Sequence, residues 1–534
     1  MPRRALWSGL LLVAACALYA IGLGHAPIYL HEAEVLFALH ARSIATTAHD
    51  TNGRLLPLYF QMPSIGENVW FHPAIVYWMT PFLGVLPMTE WTVRLPSVLV
   101  GLFDLVLIYL IARRLCRSPR WGLLAAALLA LTPAHFIHSR MALDYLYPVP
   151  FVLAWLLCLL IFLERRRPWI LFLATSFLGV GFYSYIASVI MMPVYLFMTW
   201  LVLWTKSERP ARLSLVALAG FAWPLALLVV WLSLHPVVTA ATMSRYQIGQ
   251  MPGPSSAAAH ESMSQLLERT RRNVRFSEVI GRVSLYWYFF DPAYLFLSGG
   301  YANVVNSTRH VGVFLAPLLV FVPIGLVRLA STRQDPVARL LILGFLSAPL
   351  AACLVVPEPY AVDRELGILP FGVLAATFGV KYLLDCGRVS RTVGLCLLAL
   401  VPVHFAFFCA EYFGDYRRQS AFWFDFNRRG AIEEILARDI QDHPPVIYLA
   451  AQRIPSLEGY WRFYLIKHHR EDLLNRTRYF HPETMNVRDV PPGSLILASS
   501  GDPSFEPSLA TGDLKTVALI PEPGDPPAFT ILRR

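Results

Sequence analysis

The sequence predicts a polytopic α-helical membrane protein that ends in a small α/β unit outside the bilayer. Three observations carry this reading. The 534 residues are 56% hydrophobic and only 15% charged, too apolar for a soluble chain of this length. The apolar residues come in blocks of roughly 17–25, separated by short charged turns, which is the length a helix needs to cross a bilayer. Beyond about residue 411 the apolar runs shrink to a few residues, the size of buried strands.

The first span is placed at about 5–24. Its basic start and apolar run are those of a signal peptide, but no small-x-small site precedes a polar domain, so it is read as a retained helix. An outer loop, 25–94, follows with two helical stretches near 31–48 and 72–86. The second is short and broken by Pro73 and Pro81, and Tyr77-Trp78 suits the headgroup belt, so both helices are expected to lie in the interface. Further spans fall near 95–112, 121–137, 146–163, 169–185, 187–204, 213–234, 311–327, 340–356, 366–384 and 392–410. About 11–13 spans are expected, eleven of them placed here; an apolar stretch near 283–298 is a further interfacial or re-entrant helix.

The chain thus divides into a transmembrane domain, 1–410, and a C-terminal α/β domain, 411–534. In the latter, Val446-Ile447-Tyr448-Leu449, Ser494-Leu495-Ile496-Leu497 and Val517-Ala518-Leu519-Ile520 read as strands, with a helix around 459–476 between the first two.

The net charge of +10 encodes topology. Arg3-Arg4, Arg113-Arg114, Arg165-Arg166-Arg167, Lys206 with Arg209, Arg328 with Arg339, and Lys381 with Arg388 all fall on one side of the placed spans. That is the positive-inside pattern, which puts the N-terminus in the cytoplasm and, with an odd span number, the C-terminal domain on the outer, periplasmic side of a bacterial inner membrane. Nucleic-acid binding is excluded by the same distribution. The seven cysteines lie in spans or on the basic side and show neither a disulfide framework nor metal-ligand spacing.

Ionisable residues at the opposite, outer ends of the spans are the functional candidates, because charge near a bilayer is costly. They are Glu32, Glu34, Asp50, His72, Arg94, Arg140, Asp144, Asp291, Arg309, Asp363 and Arg364. Carboxylates together with cations suit a reaction in which a base deprotonates a hydroxyl and cations hold a phosphate leaving group. Simpler readings compete: Arg94, at a span start, is placed to snorkel, and Arg140 and Asp144 have the i, i+4 spacing of a helical ion pair. No Gly-rich nucleotide loop follows a strand, which argues against direct use of a nucleotide sugar.

The ordered series Leu30-His31-Glu32-Ala33-Glu34, Ala41-Arg42-Ser43-Ile44, Asp50-Thr51-Asn52-Gly53-Arg54, His72-Pro73, Arg94-Leu95-Pro96-Ser97, Ser139-Arg140 with Asp144, Asp291-Pro292 and Asp363-Arg364 resembles the protein mannosyltransferase and aminoarabinose transferase group. These are GT-C-type glycosyltransferases (families 39 and 83) that use polyprenyl-phosphate sugars. The resemblance covers roughly residues 5–430 and implies a GT-C-like fold. It implies an inverting transfer of one sugar from a polyprenyl-phosphate carrier to a hydroxyl of a lipid, glycan or protein at the outer face, with no cofactor beyond the lipid-linked donor and no metal.

In that group an Asp-Glu pair opens the first outer helix and its aspartate is the base. Here the pair aligns on Ala33-Glu34 or on His31-Glu32, without the aspartate in either register. The resemblance therefore leaves Glu32 or Glu34 as base, with Asp144 as a further catalytic residue oriented by Arg140. Asp50, His72, Arg94, Arg140, Asp363 and Arg364 are implied on the substrate side, His72 standing where many relatives have lysine and Asp363-Arg364 reading as a phosphate clamp. The alternative class is a transporter or flippase of lipid-linked intermediates, which needs polar residues in mid-span; a third is an inactive scaffold, favoured by the missing aspartate.

Overall fold

The computed structural model describes residues 2–62, 70–206, 208–235, 276–300, 302–332, 335–355 and 358–534. Residues 236–275 of the expected outer segment 235–310 therefore lie outside the described residues. The helices, in chain order, are α1 (Pro2–Ala20), α2 (Glu32–Thr47), α3 (Ala74–Val85), α4 (Glu90–Leu115), α5 (Pro119–Ala130), α6 (Pro133–Ser139), α7 (Pro148–Arg165), α8 (Pro168–Gly181), α9 (Ser188–Lys206) and α10 (Pro210–Leu234). They continue with α11 (Phe276–Tyr286), α12 (Leu318–Ser331), α13 (Pro336–Ser347), α14 (Pro349–Leu354), α15 (Val362–Glu365), α16 (Ile368–Asp385), α17 (Arg388–Phe413), α18 (Asp415–Gln419), α19 (Arg428–Asp442), α20 (Leu457–Lys467) and α21 (Glu506–Ala510).

Among the described residues, seven helical segments are long and apolar enough to cross a membrane, and α5 with α6 forms an eighth that is bent by 67°. Three shorter apolar helices, the end of α1 (Gly9–Ala20), α8 and α12, fall on the remaining expected spans. The fourth short one, α3, is the helix read as interfacial. The chain is thus a multi-pass membrane protein. Its rim is formed by α10 and α17, where Val229 (67% exposed) and Phe407 (71%) face outward into what a bilayer would fill, while α16 is central, with Leu369, Phe371, Val373 and Leu374 buried. The stretch near 283–298 is broken: α11 is followed by the 3-10 turn Trp287–Phe290 and the π turn Ala293–Leu297.

Glycines set the closest helix approaches. A Cβ on Gly325 of α12 would lie 1.8 Å from the Ala375 carbonyl oxygen of α16, and one on Gly379 of α16 would lie 2.0 Å from that of Phe321. Gly179 of α8 and Gly220 of α10 meet the partner's backbone oxygens, Phe221 and Phe172, at 2.4 Å each. In lipid, where tails are as apolar as the helices, such close backbone packing is a main source of association. Gly379→Leu has only backbone to displace, so we expect it to abolish monodisperse, folded protein on size-exclusion chromatography, a cost above the roughly 1–3 kcal/mol of ordinary overpacking. A normal elution profile and unfolding midpoint would show that this pair does not hold the bundle.

Inside the bundle, away from the outer-end candidates, Asp104 midway along α4 and His135 on α6 are wholly buried. They contact each other and Tyr19, with His135 Nε2 3.3 Å from Asp104 Oδ2 and His135 Nδ1 2.8 Å from the Tyr19 hydroxyl. This polar chain, which leaves Asp104 Oδ1 without a partner among the described residues, links α1, α4 and α6.

The segments assigned to one membrane face nevertheless meet at one end of the bundle. Glu34 contacts Ala142, Tyr185 and Asn306 both reach Asp363, and Arg417 reaches the His25 carbonyl. The basic turns meet at the other end, where Arg114 pairs with Glu164 at 2.8 Å and Arg166 donates to the Lys206 carbonyl at 3.1 Å.

Near the first end, the short strands β1 (Phe60–Gln61) and β2 (Trp70–Phe71) pair antiparallel. The C-terminal region carries β3 (Ile447–Leu449), β4 (Thr477–Tyr479), β5 (Leu495–Ser499), β6 (Lys515–Ile520) and β7 (Phe529–Arg533) in the order β4-β3-β5-β7-β6. β3 runs parallel to β4 and β5, and β7 runs antiparallel to β5 and β6. Two strands, β4 and β7, and the helix α19 were not read from the sequence. The helix expected over 459–476 stops at Lys467, because His469 turns left-handed (φ 55°) and only a 3-10 stretch, Glu471–Arg476, follows.

Candidate active site

The first turn of α2 is fixed by its own residues. His31 caps the helix, its ring accepting from the Ala33 N–H at 3.2 Å, while Glu34 Oε2 accepts from the His31 N–H at 2.9 Å. This reciprocal capping box turns Glu34 inward. There its Oε1 accepts from the Ala142 N–H at 2.8 Å, and Arg94 closes a two-pronged pair, Nε to Oε1 at 3.0 Å and Nη2 to Oε2 at 3.1 Å. Glu34 is 0% and Arg94 1% exposed. Both carboxylate oxygens are thus doubly engaged. This corrects the reading of Glu34 as a base: it lacks a free lone pair and has no access to an acceptor.

Arg94 and Arg140 are corrected for the same kind of reason. The remaining donors of Arg94 go to the carbonyls of Leu23, Pro27 and Tyr29 at 2.6–3.0 Å. Arg140 does not pair with Asp144, because α6 ends at Ser139 and the i, i+4 geometry is lost. Instead its Nη1 reaches the carbonyls of Tyr19 and Ile21, and its Nη2 those of Gly22 and Ala26, at 2.6–3.0 Å. The two guanidinium groups, buried and unable to lose their charge, bind the 19–29 segment down rather than offering donors to a phosphate. Asp50 is likewise occupied: Oδ1 accepts from the N–H groups of Asn52 (2.9 Å) and Arg54 (2.8 Å), and Oδ2 holds the Arg54 side chain at 3.0–3.1 Å. It builds the turn 50–54 and is not placed for substrate.

A second cluster gathers around Asp363 and Tyr145. Asp363, on α15, accepts from the Tyr185 hydroxyl at 2.7 Å and from Asn306 Nδ2 at 3.3 Å. Arg364 Nε lies 3.5 Å from Asp363 Oδ2, and its Nη1 pairs with Glu358 at 3.1 Å. The Tyr145 ring stands between the rings of His138 (5.9 Å) and Tyr185 (5.3 Å). Asp144, Asp363 and Arg364 are all within electrostatic reach of Tyr145 and Tyr185. Glu365, buried beside them, takes the Tyr294 hydroxyl at 2.8 Å; burial pushes its carboxyl well above the usual range and that bond only partly offsets it. Burial thus disfavours a second negative charge on Glu365 beside Asp363. His72 is buried with its ring edge-on to Tyr59 at 5.3 Å.

Glu32 faces a third way, toward the C-terminal region. Its Oε2 accepts from the Ser456 hydroxyl at 2.8 Å, and its N–H donates to Asp425 Oδ2 at 2.8 Å. The Tyr460 hydroxyl lies 2.7 Å from the Leu30 carbonyl oxygen and 3.0 Å from Asp425 Oδ2. Asp291 and Arg309 serve local turns, through the Ala293 N–H and the Ala302 carbonyl respectively.

Over residues 71–234 the sequence matches the family described as dolichyl-phosphate-mannose-protein mannosyltransferase. No curated protein matches the chain by sequence. The fold is similar to that of ArnT from Cupriavidus metallidurans: in its apo state the TM-score is 0.60 at 13% identity, covering 99% of this chain and 98% of that one. The same enzyme bound to undecaprenyl phosphate gives 0.58 at 12% identity, over 98% and 97%. The chain has the GT-C-type glycosyltransferase fold. The expected fold class is therefore borne out, membrane helices and sheet-containing C-terminal region alike.

Within this GT-C fold the sequence reading missed His138, Tyr185 and Asn306. Tyr185 sits at the abrupt junction between two spans, and Asn306 in the polar run Asn303–Arg309 that follows Gly299-Gly300. Polar side chains at such junctions are the signal that would have found them.

Proposed function

We propose that this GT-C chain moves one sugar from a polyprenyl-phosphate carrier to a hydroxyl of a lipid, glycan or protein acceptor, by single inverting displacement at the outer face of a bacterial inner membrane. The observation that carries this reading is the gathering of Asp144, Asp363 and Arg364 around Tyr145 and Tyr185 at the bundle end opposite the basic turns. The match to a mannosyltransferase family, and a fold shared with an enzyme that has been seen bound to undecaprenyl phosphate, support it.

In this scheme Asp144 takes the proton of the acceptor hydroxyl as its oxygen attacks the anomeric carbon. The bond from that carbon to the carrier phosphate breaks, and the electron pair leaves with the polyprenyl phosphate. Arg364 stabilises the growing charge on the phosphate; a guanidinium suits this because its paired, permanently charged donors match phosphate oxygens. Asp363 holds Arg364 in place, itself held by Tyr185 and Asn306. Glu34 with Arg94, and Arg140, do not touch the reacting atoms; they fix the segments that carry those that do.

The test uses the full chain in proteoliposomes loaded with radiolabelled polyprenyl-phosphate sugars and a membrane extract as acceptor. Transfer releases free polyprenyl phosphate and labels the acceptor in equal amounts. Movement of intact, still-glycosylated carrier across the bilayer, without label on any acceptor, would replace this reading with the flippase.

A further inference from the structure

Arginines near the C-terminal end of this chain are mostly paired with acids: Arg429 with Glu433, Arg453 with Glu483, Arg476 with Asp439. Arg42 and Arg462 are not. Among the described residues Arg42, half-buried on α2, donates one hydrogen bond, to the Leu83 carbonyl at 2.6 Å, and the exposed Arg462 of α20 makes none. Both line one cavity of about 300 Å³ between α2, the link from α3 to α4, and the end of α20. His469 is in the same wall, and the one carboxylate there, Glu471, cannot balance two permanent cations.

This excess positive charge is at the wrong end of the bundle for the positive-inside pattern, so membrane orientation does not account for it. Its apolar wall does point to a ligand class. Leu86 and Met88 line the cavity, and Leu86 directly follows Val85, which is 86% exposed. Trp78 (45% exposed) lies seven residues before Val85, on the same face of α3. That face is the lipid-contacting side of an interfacial helix, with a tryptophan of the kind found at headgroup depth. A cationic cavity therefore opens where lipid headgroups would stand.

We infer that this cavity binds the phosphate-bearing headgroup of an anionic membrane lipid, held by Arg42 and Arg462, with its acyl chains running along the Trp78–Val85 face of α3. Guanidinium groups free of carboxylates supply the charge-assisted bonds that phosphate oxygens need. Lipid binding here is separate from sugar transfer, and its readout requires no activity.

The test is native mass spectrometry of the full chain titrated with phosphatidylglycerol or with phosphatidylcholine, for wild type, Arg462→Gln and Arg42→Gln/Arg462→Gln. Wild type should bind phosphatidylglycerol at least tenfold more tightly than phosphatidylcholine. Arg462→Gln, at an exposed position that costs no packing, should lose several-fold, and the double variant most of the preference. Equal preference in wild type and both variants would overturn the site. Inorganic phosphate at millimolar concentration should not raise the unfolding midpoint; stabilisation by phosphate equal to that by the lipid would assign the cavity to a free anion and overturn the lipid reading.

Discussion

Arg94→Ala should leave little folded protein and no transfer activity. The substitution strands the Glu34 carboxylate, which is fully buried, and orphans the carbonyls of Leu23, Pro27 and Tyr29. Breaking a buried, hydrogen-bonded ion pair from one side costs about 3–5 kcal/mol, because an uncompensated charge remains. Glu34→Gln should fall in the same direction: its amide would turn a donor toward the Arg94, His31 or Ala142 N–H groups that the carboxylate now accepts from. Unfolding midpoints in detergent measure both, and the double variant should lose less than the sum of the singles, by about 1–3 kcal/mol. A Glu34→Gln protein with the wild-type midpoint and no transfer would return Glu34 to the role of base.

Asp144→Asn should lower kcat by about 10²–10⁴, the usual contribution of a general base, while the unfolding midpoint and donor KM change little. Arg364→Ala should cost about 10²–10³ in kcat through loss of charge stabilisation on the departing phosphate. Glu32→Gln should cost less than either, since Ser456 already engages one of its oxygens and Gln preserves that contact. Initial rates of release of polyprenyl phosphate decide the assignment. Wild-type rates for Asp144→Asn together with loss in Glu32→Gln would move the base to Glu32.

The bundle was legible because lipid forbids unsatisfied backbone, so each crossing must be an apolar helix, and hydropathy reports that directly. The common face of Glu34, Asp144 and Asp363 was legible from the alternation of basic turns. What each group does there was not. The capping box was written in His31-Glu32-Ala33-Glu34, but the Arg94 that then occupies the Glu34 carboxylate lies sixty residues on. Asp50-Thr51-Asn52-Gly53 carries the composition of an Asx turn, a local signal that outweighs any role for Asp50 at a distance. Arg140 and Asp144 looked like a helical pair because spacing alone cannot reveal that α6 ends at Ser139, just before them. The strands β4 and β7 escaped because a three-residue edge strand and a terminal one leave too short a pattern to count.

The contacts between α2 and the C-terminal region have a consequence for biogenesis. Leu30 and Glu32 are held by Asp425, Ser456 and Tyr460 across sequence separations of 393, 424 and 430 residues. On the ribosome, the partners that the N-terminal end of α2 contacts emerge 393 to 430 residues after it. Contacts this distant form late, whereas the crossing helices can insert one after another. A nascent or prematurely terminated chain would therefore occupy the membrane without a finished N-terminal end to α2. Emergence of the 425–460 region is in this way the step that lets the N-terminal end of α2 take its working shape.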